Sequence, residues 1–64
     1  MLNEQQIIDQ LADRLAGVHT QVEPAQVARV VQSEYARFEG HPIRDFIPLF
    51  VERNAVKELS KIGG

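Results

Sequence analysis

Apolar residues recur at three- and four-residue spacing in three stretches of the chain, each opened and closed by residues that start or stop helices. In the first, Ile7, Ile8, Leu11 and Leu15 form a stripe with Ala12 and Ala16 beside it, while Asp9, Asp13 and Arg14 fall mostly on the other side. Asn3 is placed to cap the first turn, Gln6 three residues later completes a capping box, and Leu2 precedes the cap where it would staple onto Ile7. Gly17 offers a C-terminal stop because glycine tolerates a left-handed conformation. These signals predict a helix over about 3–16.

After the connector "VHTQVE", Pro24 suits a first helical position, where its missing amide would have had no partner. Val27, Val30, Val31, Tyr35 and Phe38 follow at helical spacing, Val22 is placed to staple onto Val27, and Gly40 closes the stretch. The pattern predicts a second helix over about 24–39. A third begins near "HPIRDFIPLFVERNAV", and Pro48 decides where. A proline deep in a helix costs about 3 kcal/mol or more, whereas in the first turn no hydrogen bond is lost. Asp45 as N-cap puts Pro48 in that turn, so the helix is placed at about 45–61, with Lys57 and Lys61 towards its C-terminal end. A start at Pro42 competes, but it would bury Pro48 inside the helix and require a kink. No segment alternates as a half-buried strand does. The expected fold is all-α, a three-helix bundle with short connections.

The third helix carries more apolar surface than one bundle uses. Phe46 and Phe50 project to one side, Ile47 and Val51 to another, and Leu49 with Val56 to a third. Fully burying each such side chain is worth about 1.5–3 kcal/mol, and a soluble monomer seldom leaves several of them wet. Either the helix runs through the middle of the bundle, covered all round, or a second surface covers it. A two-fold homodimer would do so with one self-complementary patch. The contacts of such a patch would be drawn from these residues, Leu49 among them.

Length sharpens that expectation. At 64 residues the chain has room for one domain, spanning 1–64. Domains this small bury only about 60% of the surface their unfolded chain exposes and tend to need a disulfide, a metal or a partner subunit. Cysteine is absent, which rules out disulfides, thiol nucleophiles and thiolate metal sites and leaves association. The net charge of −2, with both signs dispersed, does not make the basic stripe of a nucleic-acid-binding protein. The N-terminal residues lack a basic region ahead of an apolar stretch, and no apolar run reaches the roughly 18 residues of a membrane span. The expectation is a soluble cytoplasmic protein.

The leading "LADRL", the "VARVVQSEYARF" helix and above all "IRDFIPLFVER" resemble a family of short actinobacterial three-helix-bundle dimerisation domains. These occur alone or N-terminal to arsenate reductases and low-molecular-weight phosphatase-like enzymes. The resemblance covers nearly the whole chain and implies a homodimeric helical module with contacts on Ile43, Phe46, Ile47, Phe50 and Val51, attached to or partnered with such an enzyme. Those enzymes use a cysteine followed at fixed spacing by an arginine in a phosphate loop, and this chain has no cysteine. No catalytic residue carries over.

The residues that could carry chemistry have plainer readings. His19 and His41 fall in connectors and share no helical face with a second ligand, so neither makes a metal site. Asp9 and Asp13, one turn apart, would make a carboxylate pair but sit on the wet face of an amphipathic helix. Arg29, Arg37, Arg44, Arg53, Lys57 and Lys61 would form an anion surface, were it not for Glu34, Asp45, Glu52 and Glu58 beside them. Read as a helix-turn-helix, the second helix would present Val30, Val31 and Tyr35 where base readers want Arg, Asn or Gln. Tyr35 is expected to pack its ring and send its hydroxyl to the rim, and the terminal glycines to form a loose end or a linker. The function expected is therefore a dimerisation or adaptor module with no cofactor and no catalytic site.

Overall fold

The computed structural model describes residues 3–63, in which three helices pack as a bundle: α1 (Glu4–Val18), α2 (Pro24–Ala36) and α3 (Ile47–Gly63). Leu2 and Gly64, and with them the staple onto Ile7 and the final glycine, lie outside the described residues. Helix α1 starts as its sequence predicts. The Asn3 side chain accepts from the Gln6 amide at 2.8 Å, and the Gln6 side chain accepts from the Asn3 amide at 2.9 Å, so two orphan donors are satisfied reciprocally.

The end of α1 corrects the sequence reading. Gly17 does not stop the helix: the chain stays helical to Val18, and the His19 amide still donates to the Leu15 carbonyl at 2.8 Å. Among the described residues Gly40 is the glycine that does enter the left-handed region, at φ 80°. It follows a tightened tail in which the amides of Arg37, Phe38 and Glu39 donate three residues back, so α2 proper ends at Ala36, short of the predicted 39.

Helix α3 begins two residues later than predicted. Phe46, rather than Asp45, supplies the first carbonyl, accepting from the Phe50 amide at 3.0 Å. Pro48 is then the second helical residue, inside the first turn, where its missing amide leaves no hydrogen bond unmade.

The core is built from Ile8, Leu11, Ala12 and Leu15 of α1, Val27 and Val31 of α2, and Ile47, Val51, Ala55 and Leu59 of α3. Val22 reaches into it from the α1–α2 connector, in the same cluster as Val27. Ile8, Val27, Val31, Ile47, Val51 and Leu59 are fully enclosed, each worth about 1.5–3 kcal/mol of transfer free energy. One acid shares this environment. Glu34 falls on the inner side of α2 and is buried, and Arg37, one turn along, pairs with it at 3.3 Å. Among the described residues no helix is long and apolar enough to cross a membrane.

Candidate interaction surface

Helix α3 has two faces. At about 100° per residue, Ile47, Val51, Ala55 and Leu59 occupy an arc centred nearly opposite the one that holds Phe46, Leu49, Phe50, Arg53 and Lys57. The first arc is the core stripe, with Ile47 1% and Val51 0% exposed. The second is open: Phe46 is 59%, Leu49 50% and Phe50 42% exposed, and Ile43 just before the helix is 61% exposed. Two of the six predicted contact residues are thereby reassigned. Ile47 and Val51 hold the bundle together and have no surface to offer, because their side of α3 is the side that α1 and α2 cover. Ile43, Phe46, Leu49 and Phe50 remain as the exposed apolar residues of the predicted patch, at and just before the start of α3, and α3 is not enclosed all round.

Neighbouring elements extend the patch. Leu49 and Pro48 form one wall of an open groove of about 510 Å³ whose other wall is Ile7 and Leu11 of α1. Arg14 and Glu52, paired at 2.8 Å, also line it. On the other flank Phe50 stacks on Phe38, ring centroids 6.1 Å apart and planes 19° from parallel, and Phe38 in turn meets His41 edge-on at 6.1 Å. Arg53 and Lys57 line a depression beside the stacked pair. Neither forms an ion pair with a described residue, whereas Arg14, Arg37, Arg44 and Lys61 each do.

The segment that carries Ile43 and Phe46 is held by a three-residue clasp. Glu4 at the start of α1 receives a hydrogen bond from the Tyr35 hydroxyl at 2.6 Å, and the same carboxylate is engaged by the Arg44 guanidinium through both of its oxygens. Arg44 also donates to the Phe38 carbonyl at 2.8 Å and the His41 carbonyl at 3.2 Å. One guanidinium thus ties α1, the tail of α2 and the 41–46 segment together. Its hydrogen bond, followed by that of Tyr35, holds the Glu4 carboxyl below the usual range. The bond to Glu4 raises Tyr35, and the guanidinium is likewise raised, chiefly by that carboxylate. Arg44 is therefore not a free member of an anion surface. Nothing local announces the clasp, since its members lie 31 and 40 residues apart. The one hint in the sequence is an arginine next to an apolar patch with no acid three or four residues away on a helix.

The remaining polar candidates have ordinary partners. The Asp9 carboxylate accepts from Gln5 at 2.9 Å and from Gln32 of α2 at 3.2 Å, which makes it a link between helices, and Asp13 is exposed. One ring nitrogen of His41 lies 3.0 Å from the Ile43 carbonyl and 3.3 Å from its amide. Among the described residues no three His, Cys, Asp or Glu side chains converge as metal ligands. Comparison of the chain with protein-family models, with curated proteins and with solved structures returns no match.

Proposed function

We propose that the chain is a cytoplasmic, non-enzymatic pairing module, in which two copies meet through the exposed face at the start of α3. The observation that carries this reading is the division of α3 into two apolar faces. Ile47, Val51, Ala55 and Leu59 saturate the intramolecular core, and Phe46, Leu49 and Phe50, with Ile43 beside them, lie outside it. A bundle of this size gains from covering such a patch, and a two-fold axis covers it with nothing but a second copy. The resemblance of "IRDFIPLFVER" to dimerisation domains points the same way. It also suggests what is paired: an arsenate reductase or phosphatase-like enzyme joined to the module or bound to it.

Sedimentation equilibrium over a wide concentration range tests the reading. The expected result is a mass twice that of the monomer, reduced to one by Phe50→Glu while far-UV circular dichroism stays helical, because a carboxylate trapped in an apolar contact is costly and one exposed on a monomer is not. A wild-type mass that stays monomeric at every concentration refutes self-pairing and makes the same face a docking site for a different protein.

A further inference from the structure

The exposed face of α3 is graded as well as apolar. Phe46 stands just ahead of its first turn, Leu49 and Phe50 lie within its first turns, and Arg53 and Lys57 continue the same arc towards the C-terminus. Asp45 precedes the helix. It is exposed and forms no ion pair with a described residue, and the same holds for Arg53 and Lys57. The patch is therefore bounded by an acid at one end and two uncommitted cations at the other.

A two-fold axis can run along the helices or across them, and the charges distinguish the two. An axis along α3 gives parallel helices and sets Arg53 and Lys57 against their own copies, like on like. An axis across α3 reverses one helix. With the axis passing between Leu49 and Phe50, those two residues meet their counterparts at the centre, Phe46 comes level with the partner's Arg53, and Asp45 comes level with the partner's Asn54, one residue beyond it. The basic end of each copy then lands on the acidic and aromatic end of the other, twice per dimer by symmetry. Arginine over an aromatic face adds a cation–π contact.

We infer, on the basis of the pairing proposed above, that the two third helices pack antiparallel, with Arg53 of each copy between Phe46 and Asp45 of its partner. The patch supplies much of the area that a small dimer needs. A small specific interface takes about 500 Å² per copy. At about 200 Å² per phenylalanine the exposed parts of Phe46 and Phe50 supply roughly 200 Å², and Leu49, Ile43 and the stem of Arg53 extend the contact. The overlap from Phe46 to Arg53 is two helical turns, about 10 Å long.

Two measurements test the arrangement. The chain contains no cysteine, so Lys57→Cys introduces a single site for a spin label on the intact protein. Antiparallel packing places the two labels about 25 Å apart across the dimer, from a rise of 1.5 Å per residue and helices 8–10 Å apart, whereas parallel packing places them about 10 Å apart. The second measurement compares Asp45→Arg, Arg53→Asp and the double variant. Each single change is expected to weaken the dimer about fivefold, from two exposed pairs per dimer, and the double variant to recover wild-type affinity. A distance near 10 Å, or single effects that merely add in the double variant, overturns the antiparallel arrangement and leaves pairing through the patch intact. A wild-type chain that stays monomeric overturns both.

Discussion

Ile47 and Leu49 are two residues apart on α3, carry side chains of equal carbon number and have opposite environments, which makes them a controlled comparison of core against patch. Ile47 is 1% exposed, packed with Val51, Ala55 and Leu59 against the other helices, and Leu49 is 50% exposed. Truncating an enclosed isoleucine to alanine costs about 2–5 kcal/mol, the sum of lost transfer energy and the cavity left behind. A half-wet leucine leaves no cavity, and its truncation in the monomer costs about 1 kcal/mol or less. At about 0.05–0.15 kcal/mol per residue, the whole domain has roughly 3–10 kcal/mol to lose. Ile47→Ala therefore removes at least a fifth of the stability and, at the upper end, all of it. Urea titration followed by far-UV circular dichroism reads the difference: with a slope near 1 kcal/mol/M, the Ile47→Ala midpoint falls by about 2 M or more and that of Leu49→Ala by under about 1 M. The titrations belong at a dilution where sedimentation gives one monomeric mass, since pairing would add concentration-dependent stability to any variant that retains it. Equal midpoint shifts for the two variants would refute the assignment of Ile47 to the core and Leu49 to the patch.

The clasp makes stability depend on pH at both extremes. Glu4 is held below its unfolded value, so its contribution is present above about pH 4.3 and is lost as pH falls through the lower folded value; Glu4→Gln should flatten the acid limb of a stability curve measured by thermal melts. Tyr35 is raised, so its contribution is complete below about pH 10 and lost as pH rises through the higher folded value, and Tyr35→Phe should remove that alkaline loss. The two inner glycines should respond oppositely to alanine. Gly17 is helical with open space around an added Cβ, so Gly17→Ala should stabilise by about 0.4–1 kcal/mol, whereas Gly40→Ala, at φ 80°, should destabilise by about 1 kcal/mol or more in the same melts.

What could be read from the sequence follows from how far each determinant reaches along the chain. The capping box at Asn3 and Gln6 and the placement of Pro48 in a first turn depend on residues within one turn of each other, and both are present in the fold. The valine stripe of α2 is legible for the same reason. The phase of α3 is not legible from its start. Phe46, Ile47, Leu49, Phe50 and Val51 are all apolar, so the first half of the helix alone leaves the inward side undetermined; it is settled only further along, where Ala55 and Leu59 continue the row of Ile47 and Val51 while Arg53 and Lys57 continue the opposite side. Gly17 misled because glycine permits a helix stop without enforcing one, and the His19 amide still finds the Leu15 carbonyl. Glu34 is buried on the inner side of α2 while Arg37, which pairs with it, stays largely exposed, and nothing in its own charge marks that position. The clasp joins residues from three elements, and no local pattern encodes it.

The shared carboxylate of Glu4 also bears on the entropy of closing the chain. Arg44 lies 40 residues from Glu4, and a loop of that length is costly to close directly. Tyr35 reaches the same carboxylate from α2, only nine residues before Arg44. Once α1 and α2 have docked, Arg44 searches for a partner nine residues away instead of forty, which lowers the closure cost by about (3/2)RT ln(40/9), roughly 1.3 kcal/mol. Docking of α1 on α2, with the tyrosine hydroxyl on the same carboxylate, thus converts a contact between distant parts of the chain into a nearly local one, and the 41–46 segment with Ile43 and Phe46 is anchored at the end of a short tether.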